Sequence, residues 1–257
     1  MKKSYSPLYS FKGRICGSKS SNKLQRCRIN RKEIAMESII KTHIIVLAMT
    51  FFLMPAFPVS SVTVKSENED LDARVKKFLE THDWGWGDMN VPAVDGQTLH
   101  DIVVKNQYKR AVEIGTSTGH SSIWIAWALS KTGGKLITIE IDEGRHREAL
   151  KNFEKAGVSG FIDARLGDAH EIVPALEGPF DFVFSDADKY WYKNYLDALL
   201  PKLEVGGCYT THNVSSRGRG RRGVGRSSSY LDYLYSLPNL ETMVNNRGAG
   251  LAISYKK

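Results

Sequence analysis

The 257-residue chain is 42% hydrophobic and 25% charged, which supplies enough apolar sequence for one full-sized folded domain and excludes a largely disordered protein. Its net charge of +8 suggests a nucleic-acid-binding protein, yet residues 1–35 carry ten Lys and Arg against one Glu, so the remainder is close to neutral. Cys16 and Cys27 lie in that basic stretch, and Cys208 alone cannot form an internal disulfide. No Cys or His spacing predicts a zinc site.

Residues 1–62 are predicted to form a leader ahead of a folded domain at 63–257. The apolar run Ile44–Met54 follows basic residues and precedes prolines and serines, a pattern typical of a signal peptide or membrane anchor over about 41–61. Met36 is an alternative start, because it would give the signal ordinary proportions. The positive-inside rule then places the domain outside the cytoplasm. If the leader has no targeting role, the protein is cytoplasmic.

Apolar periodicity divides the domain into alternating helices and strands, beginning with a helix over Leu71–Leu79. The predicted strands are Arg110–Ile114, Leu136–Ile141, Phe161–Leu166, Phe180–Phe184, Gly207–Thr211, Leu240–Val244 and Leu251–Tyr255. The predicted helices between them are Ser121–Ser130, Arg145–Ala156, Ala169–Leu176 and Tyr192–Leu203. Strands and helices of these lengths predict an α/β fold with a Rossmann-like, doubly wound, mostly parallel sheet of seven strands. The short turn between the last two strands predicts an antiparallel C-terminal hairpin.

A glycine-rich turn follows the first predicted strand, within the run Ala111–Ser121. Gly115 and Gly119, with Ser117 between them, would let the backbone approach a ligand closely and aim free helix N–H groups at its negative groups. The spacing G-x-G-x-x-G is absent, which disfavours a dinucleotide-dependent dehydrogenase. The alternative is a tight strand–helix turn that binds no ligand.

Polar residues also follow the second and third strands. Glu140 stands at the carboxyl end of the second strand, where a carboxylate can accept hydrogen bonds from the ribose hydroxyls of a nucleotide-like ligand. The segment Gly167–His170 follows the third strand, where it would border an adenine ring. The alternative interpretation of Glu140 is an exposed acid at a strand end.

The fourth and fifth strands are followed by a further polar cluster. Asp186, Asp188 and Lys189 come just past the fourth strand, and His212 and Asn213 come at the end of the fifth. One interpretation of Asp186, Asp188 and Lys189 is that they cap the next helix and pair with one another.

Together these motifs resemble the cation-dependent O-methyltransferase family, which includes the catechol and caffeoyl-CoA O-methyltransferases and their bacterial relatives. The similarity runs from about Met89 to Tyr255 and is carried by Met89–Gln97 and by the pattern Glu113-x-Gly-x-x-x-Gly-x-Ser121. The resemblance implies transfer of a methyl group from S-adenosylmethionine to an oxygen of a small acceptor, catechol-like or acidic.

The resemblance also implies which residues hold the cofactor. Glu113 would orient its methionine end, Ser121 would hold its carboxylate, Glu140 would bind the ribose, and Asp168, Ala169 and His170 would face the adenine. The residues implied to bind the cofactor are Met89, Asn90, Val91, Glu113, Gly115, Ser117, Gly119, Ser121, Glu140, Asp168, Ala169, His170 and Asp186.

At the reacting centre, the resemblance implies a metal-binding aspartate, Asp186, and a lysine that takes the acceptor's proton, Lys189. Where the family has an Asp-Asn pair, this chain has His212 and Asn213. A metal site of Asp186, His212 and Asn213 would suit Mn²⁺, Fe²⁺ or Zn²⁺ better than Mg²⁺ or Ca²⁺. Otherwise the metal is lost and His212 is the general base, or the chain binds the cofactor without catalysing a reaction.

The segment Ser215–Ser229 contains five arginines and interleaved glycines, and it would lie at the mouth of the acceptor pocket. It could attract an acidic acceptor or an RNA backbone, which leaves a tRNA-modifying methyltransferase as an alternative. The other interpretation is a solvated surface loop, and the neutral domain makes nucleic acid the less favoured partner. A homodimer is a further expectation. Membrane contact through residues 44–62 conflicts with use of a cytosolic cofactor, and that conflict stays open.

Overall fold

The computed structural model describes residues 67–82, 89–214 and 224–257. The predicted leader at residues 1–62 lies outside the described residues. Its signal-peptide or anchor function, and the domain boundary that follows it, therefore stay predictions. Within the described ranges, no helix is both long enough and apolar enough to cross a membrane.

Seven strands form one mixed sheet. In chain order they are β1 (Arg110–Ile114), β2 (Lys135–Glu140), β3 (Ile162–Leu166), β4 (Phe180–Ser185), β5 (Leu203–His212), β6 (Leu240–Asn245) and β7 (Leu251–Lys256). Their spatial order is β3-β2-β1-β4-β5-β7-β6. The first five strands pair in parallel, whereas β7 runs antiparallel to β5 and β6. The predicted doubly wound sheet with its antiparallel hairpin is confirmed.

Seven α-helices lie in the described part of the chain. They are α1 (Glu67–Thr81), α2 (Ala93–Asn106), α3 (His120–Thr132), α4 (Glu143–Ala156), α5 (Ala169–Ala175), α6 (Tyr192–Leu199) and α7 (Val224–Ser236). Five of them were expected from apolar periodicity, with ends that differ by a few residues. Short 3₁₀ turns at Ser159–Phe161 and Leu200–Lys202 connect helices to strands.

The side chains of the central strands alternate between two helical layers, as the period of a β-strand requires. On β1, Val112 packs with α5, α6 and α7 in one core cluster. Ala111 packs with α2 and α3 in another. On β4, Val183 belongs to the first cluster, whereas Phe182 and Phe184 belong to the second. Both faces of the sheet are therefore covered, and its free strand ends are where a ligand can bind.

The register of the sheet brings the carboxyl ends of four strands to one edge. Ile114 pairs with Ile139 of β2 and with Ser185 of β4. Ser185 in turn pairs with Thr211 of β5. The residues that follow these strand ends are therefore neighbours at the point where strand order reverses between β1 and β4. This is the usual ligand-binding position in open α/β sheets.

Helix α2 was not expected from the sequence, and Gly96 inside it has a low helix propensity. The glycine is needed for packing, since a Cβ atom there would overlap the ring of Trp124 on α3. Leu99 and Val103, four residues apart, are both fully buried.

Three further expectations are corrected. The segment 215–229 is not a loop throughout, because α7 begins at Val224; residues 215–223, which carry four of its five arginines, lie outside the described residues. Strand β5 begins at Leu203 rather than at Gly207. Its pairing with β4 is irregular, and this irregularity allows Gly206, with a φ of 81°, to lie inside the strand. The predicted helix Tyr192–Leu203 accordingly ends at Leu199.

Candidate active site

The turn after β1 is built from residues with left-handed backbone conformations. Gly115, Ser117 and Gly119 have φ angles of 97°, 51° and 96°. Glycine is required at Gly115 for a second reason, since a Cβ atom there would lie 2.8 Å from the carbonyl oxygen of Asp186. The turn therefore passes directly beside the end of β4, and its backbone is open to a ligand.

Glu113 lies beneath this turn, fully buried. Its carboxyl group accepts hydrogen bonds from the hydroxyls of Ser121 at 2.6 Å, of Thr138 at 2.6 Å, and of Ser122. Burial raises the pKa of Glu113 to about 7, although the three hydroxyl hydrogen bonds oppose the shift. Glu113 thus supports the turn from below, with Ser121 between it and the cavity described next.

Glu140 stabilises two backbone turns, the one after β1 and the one after β2. Its Oε2 atom accepts a hydrogen bond from the backbone N–H of Ser117 at 2.7 Å, and Oε1 accepts one from the N–H of Asp142 at 2.9 Å. An ionised carboxylate has about four acceptor positions, so roughly two of them stay available to a ligand. The residue is 6% exposed, and it lines the cavity described below.

The end of β3 supplies an aromatic wall. Asp168 caps α5 by accepting the backbone N–H of His170 at 2.8 Å. The His170 ring stacks on Trp191 with ring centroids 3.7 Å apart and an interplanar angle of 14°. His170 lines the cavity described below, and its ring, held against Trp191, is a rigid flat surface of the kind that a planar base can contact.

The end of β5 contains a histidine between two carboxylates. His212 Nδ1 lies 2.8 Å from Asp186 Oδ2, and His212 Nε2 lies 3.1 Å from Asp95 Oδ2. The side chains of His212 and Asp95 are 4% and 1% exposed. Burial lowers the pKa of His212, but hydrogen bonds to Asp186 and Asp95 outweigh burial and raise the pKa to about 9. At neutral pH the imidazole is therefore protonated.

Lys189 stands at the more open side of the same region. Its Nζ atom donates a hydrogen bond to Oδ1 of Asn213, which has a left-handed φ of 56°. Asp188, next to it, caps the following turn through the N–H of Tyr190 at 2.9 Å. Asp188 therefore stabilises the turn before α6 rather than capping that helix, whose N-cap is Trp191, and both Asp188 and Lys189 line the cavity described below.

One cavity of about 790 Å³ connects these features, a volume within the range of small-molecule sites. Of the predicted site residues, those that line it are Met89, Asn90, Val91, Gly115, Ser117, Ser121, Glu140, Asp168, Ala169, His170, Asp186, Lys189, His212 and Asn213. Glu113 and Gly119 do not line it. Gly119 instead allows close packing, since a Cβ there would lie 2.5 Å from Phe153.

Sequence reasoning missed Asp95, which contacts His212 across 117 residues of chain. It also missed Ile141, Arg145 and Ala249 on the cavity wall. The available signal for Asp95 was a carboxylate inside the segment 89–97, which was expected to cover the cofactor. In the described ranges, no group of three His, Cys, Asp or Glu residues is arranged to hold a metal ion.

Comparison with known proteins decides the family. Residues 62–222 match the model of a family described as O-methyltransferase. The chain belongs to the O-methyltransferase family. A catechol O-methyltransferase from Niastella koreensis is 36% identical over 157 residues, which are 60% of this chain and 69% of that protein. Caffeoyl-CoA O-methyltransferase 1 from Eucalyptus globulus is 37% identical over 138 residues, 52% of this chain and 56% of that protein.

The solved structure of the O-methyltransferase TomG from Streptomyces achromogenes, in complex with S-adenosylmethionine, has a TM-score of 0.59 and 25% sequence identity. The comparison covers 76% of this chain and 93% of that chain. The resemblance inferred from the motifs is thereby confirmed. The family pattern has an Asp-Asn pair at the position of His212 and Asn213. The contacts of His212 with Asp95 and Asp186 could not be predicted from that pattern.

Proposed function

We propose that this chain transfers the methyl group of S-adenosylmethionine to a hydroxyl oxygen of a small acceptor. The observation that carries the proposal is the single cavity in which the glycine turn, Glu140 and His170 meet Lys189 and Asn213. One part of this cavity has the chemistry for a nucleoside, and the other has the chemistry for a polar reacting group.

The cofactor would extend along the ends of β1, β2 and β3. The free acceptor positions of Glu140 suit the two ribose hydroxyls, because a carboxylate can accept both. The adenine would lie by Asp168, Ala169 and the His170 ring, and the methionine end would lie at the turn between Gly115 and Ser121. Met89, Asn90 and Val91 form the opposite wall.

The reaction needs alignment more than it needs acid–base chemistry. The acceptor oxygen forms a bond to the methyl carbon while the carbon–sulfur bond breaks, leaving S-adenosylhomocysteine, and the hydroxyl proton passes to solvent. In-line positioning lowers the barrier to such a displacement. The ammonium group of Lys189 would hold the acceptor oxygen and stabilise the negative charge that develops on it.

A small phenol with neighbouring hydroxyls is the acceptor class that we propose. The relatives named above act on catechol and on caffeoyl-CoA by their names. A catechol could place one hydroxyl at Lys189 and the other at Asn213, whose side chains are already hydrogen-bonded to each other. The homodimer, and the less favoured nucleic-acid partner, stay predictions.

The predicted metal site does not fit the donor atoms as they are arranged. Both ring nitrogens of His212 lie within hydrogen-bond distance of carboxylates, and Asn213 Oδ1 accepts a hydrogen bond from Lys189. The same contacts disfavour His212 as the general base, because neither ring nitrogen is free to take a proton. No step of the proposed reaction is assigned to a metal ion.

A labelled methyl-transfer assay tests the proposal. The full chain is mixed with trideuteromethyl-labelled S-adenosylmethionine and either catechol or 1,2-dimethoxybenzene, which has no free hydroxyl. We expect a labelled methyl ether from catechol alone, detected by mass spectrometry. Lys189→Met should lower kcat/KM by roughly 100-fold, whereas the matched variant Lys193→Met, on the exposed face of α6, should leave it unchanged. Cofactor binding without transfer to any of a panel of phenols would contradict the proposal.

A further inference from the structure

The buried row Asp95–His212–Asp186 spans three separate parts of the chain. Asp95 lies on α2, His212 ends β5, and Asp186 follows β4. The two contacts measure 3.1 Å and 2.8 Å, and one reaches each nitrogen of the ring. Each ring nitrogen is therefore engaged with a carboxylate oxygen, and a metal ion could bind the ring only by displacing one of these contacts.

Asp95 is held in place by the turn between β6 and β7. The backbone N–H of Ala249 donates to Asp95 Oδ2 at 2.9 Å, the same oxygen that contacts His212. Gly248 makes room for the carboxylate, since a Cβ atom there would overlap it. The turn at 245–250 and helix α2 thus fix the carboxylate from two sides, and Asp95 cannot move aside without disturbing both.

Other polar atoms of this region are paired as well, although Asp95 Oδ1 is buried without a hydrogen-bond partner. Asn213 Oδ1 accepts from Lys189 Nζ. The backbone N–H of Asp186 is fixed to Ile114 at 2.9 Å. Both ring nitrogens of His212 are thus paired within the row, and Asn213 Oδ1 is paired outside it.

We propose that His212, held between Asp95 and Asp186, takes the place that a divalent metal ion would fill, so that this chain methylates its acceptor without a metal. Asp95 is then a positioning residue, which acts on the acceptor end of the cavity through His212. The inference rests on the proposed methyl transfer for its functional part, whereas its structural part concerns metal binding alone.

Binding of Mn²⁺ to the full wild-type chain tests the structural part directly. Bound Mn²⁺ is counted by electron paramagnetic resonance, and its position is read from paramagnetic broadening of the ¹⁵N-histidine ring signals. The His212 signal is assigned by its loss in His212→Gln. We expect no broadening of that signal at millimolar Mn²⁺. Selective broadening of the His212 signal would overturn the proposal. This measurement does not depend on enzymatic activity.

A designed reversal sharpens the test. His212→Asp replaces the imidazole ring by a carboxylate, in addition to those of Asp95 and Asp186. With Asn213, the site then has the oxygen ligands that hard divalent ions prefer. This variant should bind one Mn²⁺ per chain, at least about tenfold more tightly than the wild type. An equal affinity in a folded variant would contradict the proposal. If the variant does not fold, the wild-type measurement decides alone.

Activity separates this inference from the proposed function. Catechol methylation by the wild type should be unchanged by a chelator and by added Mg²⁺ or Mn²⁺. Methylation that a chelator abolishes and Mn²⁺ restores would overturn the inference and leave the function standing. If no methylation occurs under any condition, the proposed function fails, and the Mn²⁺ measurement still decides the metal question.

The role of Asp95 has its own matched pair of variants. Asp95→Asn should lower kcat for catechol by roughly tenfold with the Kd for S-adenosylmethionine unchanged, and should shift the ring signals of His212. Asp101→Asn, on the exposed side of the same helix, should do neither. A purely structural role would instead weaken cofactor binding and activity together, and that result would contradict the positioning role.

Discussion

Replacement of Glu140 by glutamine removes the charge at the cofactor's expected ribose position and keeps the size of the side chain. In the wild type each carboxylate oxygen accepts one backbone N–H, from Ser117 at 2.7 Å and from Asp142 at 2.9 Å. The amide of the variant has one acceptor oxygen and one NH₂ group. One backbone N–H therefore loses its acceptor, and the two ribose hydroxyls lose the anionic partner that we propose for them.

The size of the effect follows from this count. Hydrogen bonds to a charged group contribute about 1.5–3 kcal/mol each, and the remaining amide oxygen preserves part of one. We therefore expect a loss of about 2 kcal/mol in cofactor affinity, or roughly 30-fold in Kd. The unpaired backbone N–H should separately lower the free energy of unfolding by about 1–3 kcal/mol in the absence of cofactor.

Calorimetric titration with S-adenosylhomocysteine measures the affinity, and thermal unfolding without ligand measures the stability. Glu143→Gln, three residues away at the exposed start of α4, is the matched control and should change neither quantity. A folded Glu140→Gln variant with wild-type affinity would refute the ribose assignment.

Two further predictions concern the turn after β1. Gly115→Ala should lower the free energy of unfolding by at least about 2 kcal/mol, because it combines a φ of 97° with a Cβ 2.8 Å from the Asp186 carbonyl oxygen. Gly133→Ala, with a φ of 74° and nothing within 4 Å, should cost about 1 kcal/mol in chemical denaturation; equal costs would contradict the close approach. For Glu113, a folded pKa of about 7 lies above its ordinary value of 4.5. The stability that its protonated form contributes is present below pH 4.5 and is lost as the pH rises through about 7. Between about pH 5 and pH 8, Glu113→Gln should therefore lose less thermal stability than the wild type, and parallel profiles would refute the buried titration.

The strands of the sheet were predictable because each is a short apolar run that ends in a polar turn. The positions of Gly115, Glu140 and Asp186 were predictable for the same reason, since the ends of parallel strands meet at one edge. The start of β5 was not, because the irregularity around Gly206 depends on how that segment pairs with β4. Helix α2 was also missed. The sequence alone shows the low helix propensity of Gly96, whereas the packing of Gly96 against Trp124, which outweighs that propensity, exists only in the folded protein.

The contacts of the reacting residues were the least predictable part. His212 was noticed as a departure from its family, but its partner Asp95 lies 117 residues earlier in the chain. No spacing rule connects two residues at that separation. The turn that carries Ala249 lies even farther along the chain, 154 residues after Asp95, and only the folded hairpin brings it onto Asp95. Local sequence patterns thus predicted that the turn after β1, Glu140 and the segment 167–170 lie at one edge of the sheet, whereas the contacts of His212 depend on tertiary structure.

A crystal structure of the full chain with S-adenosylhomocysteine is the most direct test of the central claim, that this cavity holds the cofactor in line with Lys189. We expect both ribose hydroxyls at the Glu140 carboxylate, the adenine against the His170 ring, and the sulfur atom facing the Lys189 ammonium. A ligand whose ribose lies away from Glu140, or whose sulfur faces away from Lys189 and Asn213, would contradict the claim.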